Sequence, residues 1–224
     1  MKYTYFLFAS ALLSLASCGS DAQSGEATDI SADSGNAYSI SVDQSVVGWT
    51  GTKVVGMGSH SGTFGIAEGS LTVDSGSLVG GTLTLDLTNI VCTDTASWMT
   101  EELKGKLVGH LKDTSFLFVA EHPTALFEIA SVEALEVADD QGNSHNITGN
   151  LTLRGETRSI SFPAHVEVSD AGVQASGVAT INRLDWGINY DKEKMSLSDK
   201  LKASVQNGIV GENVEISFSL TAAK

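Results

Sequence analysis

The sequence is poor in cysteine and in positive charge. It contains two cysteines, Cys18 and Cys92, and nothing near either resembles a redox pair or a zinc-binding pair. Its 13 lysines and arginines stand against 27 acidic residues, which gives a net charge of −14 at pH 7. Such a surface repels phosphate groups, so neither nucleic acid nor anionic lipid headgroups are expected as partners held by charge attraction. Cys92 follows an apolar run and is expected to be a buried small side chain.

Hydrophobic runs are short, and the clearest one lies at the N-terminus. Residues 1–17 begin with a basic residue and continue mostly apolar, too short for a membrane-spanning helix but typical of a secretory signal peptide. The sequence LASC at residues 15–18 resembles the lipobox of bacterial lipoproteins. The resemblance implies cleavage before Cys18 and lipid on that cysteine, which would anchor the protein to a membrane. The alternative is an ordinary signal peptide followed by a chance cysteine.

Core-forming residues are nearly absent from the next segment. Residues 19–37 are mostly Ser, Gly, Ala and acidic residues, with Ile30 as the one large aliphatic residue. Such a segment cannot build a core, so residues 18–37 are predicted to be the lipidated cysteine and a flexible tether. Residues 38–224 are long enough for one domain with a single core.

Proline is also scarce, and most of residues 38–224 alternates between apolar and polar residues. The segment VEISFSL at residues 214–220 places its apolar residues on one face and its polar residues on the other. This period of two predicts strands of an antiparallel sheet with one apolar face. Turn-forming residues separate the runs, and no strand–helix rhythm indicates a parallel sheet. We therefore predict an all-β domain of eight to ten strands, closed as a barrel or folded as a sandwich.

One segment departs from this alternation. Met99, Leu103, Leu107 and Leu111 recur every four residues, which predicts a short α-helix with Ser97 as its N-cap. The polar segment 191–208 is predicted to be a long loop that includes at most one helical turn.

Six segments, in this order along the folded part, resemble the YceI-like polyisoprenoid-binding proteins, a family of lipocalin-like barrels. They are YSISVDQSVVGWTGTK, SHSGTF, GHLKDTSFLFVAEHPTALFEI, ITGNLTLRGETRSISFP, INRLDWGINY and VGENVEISFSLTA. The resemblance implies an antiparallel lipocalin-like β-barrel of about eight strands with one short α-helix. The chain departs from the family at two positions, because the family often has Asp where this chain has Phe118 and Tyr where it has His122. These departures alter the rim that the resemblance implies for headgroup contacts.

The five histidines do not indicate a metal site or a catalytic site. They are scattered, and a structural zinc site needs four ligands at close spacing. The sequence GSHSG places His60, not a serine, at the centre of what would be a nucleophile elbow. His145 is predicted to lie in a turn and His165 on the polar side of a strand. His110 and His122 are predicted to be architectural, where the helix gives way to the next strand at the barrel mouth.

The family resemblance implies a function for the barrel. Relatives bind isoprenoid quinones, polyprenyl chains or fatty-acyl derivatives in an apolar tunnel, and we expect no metal or cofactor here besides such a bound lipid. The implied role is to carry or sequester such a lipid in the bacterial cell envelope, with the barrel anchored to the outer membrane on its periplasmic or surface side. The resemblance also allows a homodimer.

Eleven inward apolar residues are the candidate tunnel residues, and each would serve equally well as plain core. They are Trp49, Phe64, Leu83, Leu85, Phe116, Phe127, Ile129, Leu151, Phe162, Trp186 and Phe218. Two other functions stay open on the sequence alone. One is a non-catalytic interaction module with a filled barrel, and the other is a lipid hydrolase with a histidine and an acid near the mouth.

Overall fold

The computed structural model describes residues 24–30, 34–53, 58–188 and 210–224, and within them the chain forms nine strands and one α-helix. The elements are β1 (Asn36–Ile40), β2 (Val46–Lys53), β3 (Ser59–Asp74), β4 (Ser77–Cys92), α1 (Glu101–Lys112), β5 (Thr124–Ala134), β6 (His145–Leu153), β7 (Glu156–Ser169), β8 (Gly172–Asn182) and β9 (Val210–Ala223). Two short 3-10 turns span Val42–Gln44 and Arg183–Trp186. The predicted signal peptide, Cys18 and the whole of the predicted 191–208 loop lie outside the described residues.

The strands form one antiparallel sheet that closes on itself. Each of β3 to β8 pairs with the strand that follows it in sequence, β4 pairing with β5 across α1, and β2 closes the ring between β3 and β9. β1 pairs with the far part of β3 and the last residues of β9, so β1 and β2 together occupy one position of the ring. The result is an eight-stranded barrel with one helix, as the sequence predicted. Closure removes both of the free edges that an open sheet would have.

Alternation decides which side chains fill the barrel. In β9, Leu220 is buried and Ile216 and Phe218 are partly buried against the core, whereas Ser217 and Ser219 are exposed. Two tight turns set the register of neighbouring hairpins. Ser75-Gly76 and Arg154-Gly155 are two-residue loops in which all four φ angles are positive, between 50° and 83°. Positive φ at both central residues is the geometry that suits right-handed strand twist in a hairpin.

The barrel has two different ends. At the helix end lie α1, the Arg154-Gly155 turn and the 3-10 turn Arg183–Trp186. At the opposite end lie the Ser75-Gly76 turn, the 135–144 loop and the turn between β7 and β8. α1 packs against β4, and Lys112 of α1 donates a hydrogen bond to the carbonyl oxygen of Thr88 at 2.7 Å.

Three local predictions need correction. The N-cap of α1 is Thr100, whose Oγ1 accepts a hydrogen bond from the Leu103 amide at 3.3 Å, because the chain turns at Ala96–Met99 before the helix begins. Met99 is therefore buried but outside the helix. His145 is the first residue of β6 rather than part of a turn, since it pairs with Ala164 of β7.

The predicted tether is in part bound to the barrel. The amide of Gly25 donates to the carbonyl oxygen of Ser159 at 2.9 Å, and the Ser159 amide donates back at 3.1 Å. The buried Asn150 side chain both accepts from the Thr28 amide at 2.8 Å and donates to the Thr28 carbonyl oxygen at 2.7 Å. This is possible because β8 pairs with β7 only from Ala164 to Ser169, which leaves the backbone of β7 near Ser159 without a β8 neighbour.

Candidate functional site

The interior of the barrel is hollow and almost wholly apolar. About 820 Å³ is free of protein atoms when the open side is counted, and about 90 Å³ of this admits the centre of a water molecule. One water needs roughly 10–15 Å³ by the latter measure, so the space is more than a packing defect. Among the lining residues, Thr82 alone has a polar side chain. A cavity of this size and character suits an apolar ligand, and it does not agree with a barrel filled by side chains.

Seven of the eleven candidate tunnel residues line this cavity. They are Leu83, Leu85, Phe127, Ile129, Leu151, Phe162 and Phe218. Whether these residues contact a bound lipid stays a prediction. The other four, Trp49, Phe64, Phe116 and Trp186, pack in or against the core outside the cavity lining.

Three phenylalanines form the aromatic part of the cavity wall. Phe162 lies between the other two, with its ring centroid 5.6 Å from that of Phe127 and 5.5 Å from that of Phe218. The rings of Phe127 and Phe218 lie over Gly149 and Gly177, where an added Cβ would come within 2.5 Å and 2.9 Å of the ring carbons. The two glycines therefore let the rings lie flat against the wall instead of filling the space.

The lining also includes aliphatic residues that the sequence reasoning missed. They are Val47, Leu71, Leu78, Ala125, Ile147, Ile160, Ala175, Ala179, Ile181, Ile216 and Leu220, with Gly81 and Thr82. Most share an inward face with a candidate residue, so the alternation could have found them. Most of the candidate tunnel residues are large and aromatic, but a hollow forms where inward residues are small, as at Ala125, Ala175 and Ala179.

The helix end of the barrel is closed by a packed cluster. Trp186 is fully buried, and its Nε1 donates to the carbonyl oxygen of Leu151 at 3.0 Å. Arg183 is buried beside it and donates to the carbonyl oxygens of Gly211, at 3.0 Å, and Ile188. Burial lowers the pKa of the Arg183 guanidinium, and Glu212 opposes that shift. These bonds hold the 3-10 turn against β9. The first part of the INRLDWGINY segment, which contains Arg183 and Trp186, therefore closes this end of the barrel.

The segment between α1 and β5 completes this closure. Phe116 and Leu117 are buried, and Arg154 donates to the carbonyl oxygen of Phe116 at 2.7 Å. His110 meets the edge of Phe116, with the two ring centroids 4.9 Å apart, so this histidine is part of the packing as predicted.

The two residues that depart from the family pattern lie side by side. Phe118 has a φ of 49°, and its ring centroid lies 5.9 Å from that of His122. Left-handed backbone is costly for an aromatic residue and easier for Asp or Asn. The aspartate that relatives often have at the Phe118 position would therefore suit the backbone better. His122 in turn packs against Gly155, where an added Cβ would lie 3.1 Å from its Cε1.

His60 contacts an acidic side chain near the helix end. Its Nδ1 lies 2.6 Å from Oδ2 of Asp94, and the Ser61 amide donates to Oδ1 of the same carboxylate at 2.8 Å. Burial raises the pKa of Asp94, but the hydrogen bonds from His60 and Ser61 outweigh it, so this pKa lies below its ordinary value. The Ser61 hydroxyl also points to Asp94, at 3.3 Å, rather than to the histidine. This differs from a catalytic triad, in which the serine bonds to the histidine.

Cys92 is buried, and burial raises the pKa of its thiol, as expected for a structural cysteine. Among residues 24–30, 34–53, 58–188 and 210–224, no group of three or more His, Cys, Asp or Glu side chains is placed to hold a metal ion. No helix in the same part of the chain is long and apolar enough to cross a membrane.

Comparison with solved structures shows the same fold. BcnA of Burkholderia cenocepacia superposes with a TM-score of 0.59 at 18% identity, covering 82% of this chain and 99% of BcnA. A polyisoprenoid binding domain of Saccharophagus degradans superposes with a TM-score of 0.56 at 13% identity, covering 83% and 97% of the two chains.

Sequence comparison identifies the family. A UPF0312 protein of Pseudomonas paraeruginosa is 37% identical over 103 residues, which is 43% of this chain and 51% of that protein. One of Pectobacterium atrosepticum is 35% identical over 105 residues, 43% of this chain and 50% of that protein. The chain therefore spans about half the length of these relatives. The YceI-like domain matches residues 38–222, nearly the whole barrel, and the protein belongs to the YceI-like family.

Proposed function

We propose that the protein binds an amphiphilic lipid, either an isoprenoid quinone or polyprenyl chain or a fatty-acyl derivative, with the tail inside the barrel. The apolar cavity carries this proposal, because its lining is aliphatic and aromatic and Thr82 is its one polar side chain. The fold neighbour from Saccharophagus degradans is a polyisoprenoid binding domain, which supports the same class of ligand.

The energetics of lipid transfer suit a carrier or sequestering role. Each methylene moved from water into an apolar site contributes about 0.8 kcal/mol. The tail of a lipid in a bilayer is already removed from water, so this contribution cancels when the lipid moves into the barrel. The net affinity then depends on fit within the cavity and on headgroup contacts. An exchange near balance allows the protein both to take up a lipid from a membrane and to release it.

We further propose that lipid on Cys18 holds the barrel at the outer membrane, on its periplasmic or surface side. The Ser24 hydroxyl donates a hydrogen bond to the Asp185 carboxylate at the helix end of the barrel. Ser24 is six residues after Cys18, and a fully extended chain covers at most about 20 Å in six residues. The anchor would therefore keep the helix end close to the bilayer. Loss of radiolabelled palmitate from a Cys18→Ser chain would support this anchor, and equal labelling of both chains would contradict it.

A transfer assay tests lipid binding directly. Donor vesicles that contain an isoprenoid benzoquinone are mixed with acceptor vesicles, and quinone in the acceptors is followed with and without the protein. The proposal predicts faster transfer, or quinone retained by the protein after the vesicles are sedimented. Neither effect, with fatty-acid donors failing as well, would contradict it.

A further inference from the structure

The barrel wall has a gap between β4 and β5. These strands pair only from Thr82↔Glu128 to Asp86↔Thr124, although β4 begins at Ser77 and β5 continues to Ala134. A β-bulge between Ile129 and Ser131 shifts the register of β5 against β6 at this point. Bulges bend the strand that carries them. Residues 77–81 and 129–134 therefore face each other without ladder hydrogen bonds, and small residues (Gly80, Gly81, Ala130 and Ser131) stand on the two rims.

The cavity reaches this gap. Gly81 and Thr82 both border the cavity, and Thr82 is the one exposed residue among those that border it. Alternation places Thr82 on the outer face, because its neighbour Leu83 lines the cavity opposite Phe127. Gly81 has no side chain to cover the cavity here, so the wall beside Thr82 is only one backbone thick.

Elsewhere, where neighbouring strands of the wall separate, other residues cover the opening. β7 and β8 also separate towards the helix end, but residues 24–30 pair with Ser159 there, and Arg158 donates to the carbonyl oxygen of Asp185 at 3.3 Å. The helix end is closed by Trp186, which is 0% exposed, and the opposite end contains Val173, also 0% exposed. The helix α1 packs against β4 near Thr88, in the half of the strand away from this gap.

We propose that the gap between β4 and β5, which begins at Gly81 next to Thr82, the first β4 residue that pairs with β5, is the port through which the lipid tail passes into the barrel. This inference rests on the proposed lipid-binding function and adds the route to it. The lipid would pass sideways through the wall, and the hydrogen-bonded part of the same strand pair, from Thr82 to Asp86, would stay closed. Because the rim residues are small, a hydrocarbon chain can enter the gap, and no large side chain has to move first.

The test places a removable block at the port. Thr82→Cys is introduced into the full chain that also carries Cys18→Ser, and the new thiol is modified with a methanethiosulfonate bearing polyethylene glycol. Cys92 is 6% exposed and should not react. The matched control is Thr124→Cys, which is exposed on the same strand pair at its sealed end, opposite Asp86. Uptake of a short-chain isoprenoid benzoquinone is followed by quenching of tryptophan fluorescence.

The inference predicts that the block at residue 82 slows uptake by at least about tenfold, whereas the block at residue 124 changes it by less than about twofold. Removing the polyethylene glycol with a reductant should restore the rate at residue 82, which shows that the variant is folded. Equal uptake by blocked and unblocked Thr82→Cys chains would overturn the port while leaving lipid binding intact. A lack of uptake by both unmodified chains would instead overturn the proposed function, and the port with it.

Discussion

The indole Nε1 of Trp186 donates a 3.0 Å hydrogen bond to the carbonyl oxygen of Leu151, whose side chain lines the cavity. This bond joins the 3-10 turn at the helix end to the wall of the lipid site. Trp49 is also buried, but its Nε1 has no hydrogen-bond partner within the described part of the chain. The two tryptophans therefore make a matched pair.

Replacing Trp186 with phenylalanine should destabilise the fold more than the same change at Trp49. Both substitutions remove volume from the core, but only Trp186→Phe also breaks a hydrogen bond, the one from Nε1 to the Leu151 carbonyl oxygen. We expect a loss of about 3–4 kcal/mol for Trp186→Phe and about 1–2 kcal/mol for Trp49→Phe. Urea denaturation of the two variants and the parent chain measures the difference. An equal loss, or a larger one at Trp49, would show that the Trp186 bond contributes nothing.

Filling the cavity should remove lipid binding without unfolding the protein. Ala179 is buried and lines the cavity, whereas Ala164 is 0% exposed and lies in the core outside the lining. Ala179→Leu should therefore find room and keep the parent melting temperature while it displaces the ligand. Ala164→Leu should cost about 1–3 kcal/mol because that part of the core is already packed. Melting curves and quinone binding distinguish the two, and unchanged binding by a folded Ala179→Leu chain would contradict the site.

Acid should weaken the fold partly through Asp94. The pKa of Asp94 lies below its ordinary value of 3.8 in the folded protein. Its contribution is therefore fully present above that value and is lost as the pH falls through the folded pKa. At pH 7 the Asp94→Asn chain should be less stable than the parent by about 1–2 kcal/mol. The difference should shrink below about pH 4.

The control for this prediction is Asp43→Asn, at an exposed residue. Stability is measured by urea denaturation between pH 3 and pH 7. A difference between the Asp94→Asn chain and the parent that stays constant across this range would contradict the stated role of the carboxylate.

Releasing the N-terminal segment should need only one side chain. Asn150 makes two hydrogen bonds to the backbone of Thr28, so Asn150→Ala should free residues 24–30. Amide exchange at Gly25 and Ser159 should then quicken by about tenfold or more. Thr28→Ala is the control, because it removes the side chain and keeps both backbone bonds. Unchanged exchange at Gly25 in the Asn150→Ala chain would mean that the Gly25–Ser159 pairing holds the segment by itself.

Much of the fold follows from the sequence. Alternation in segments such as 214–220 and the two-residue turns are local properties, so they predict strands and hairpins directly. The N-cap of α1 was harder, because Ser97 and Thr100 both suit a cap and the turn at Ala96–Met99 decides between them. The docking of residues 24–30 was not predictable, since it depends on where β7 and β8 part.

The candidate site was predictable only in part. Alternation shows which residues face inward, and it identified Phe127, Phe162 and Phe218. It does not show which inward residues leave space, because a hollow depends on how residues from all the strands meet. Trp49 and Trp186 alternate correctly and yet pack outside the cavity lining. The gap between β4 and β5 depends on the register of two strands separated by α1, which no local pattern reports.

The most direct test of the account is to identify what the protein holds when it leaves the cell. The chain is expressed with export to the periplasm, purified without detergent and extracted with organic solvent, and the extract is analysed by mass spectrometry. The account predicts one prenyl or acyl lipid at close to one molecule per chain, and its loss from the Ala179→Leu chain. A parent protein that yields no lipid and also fails to bind quinones and fatty amides in solution would contradict it.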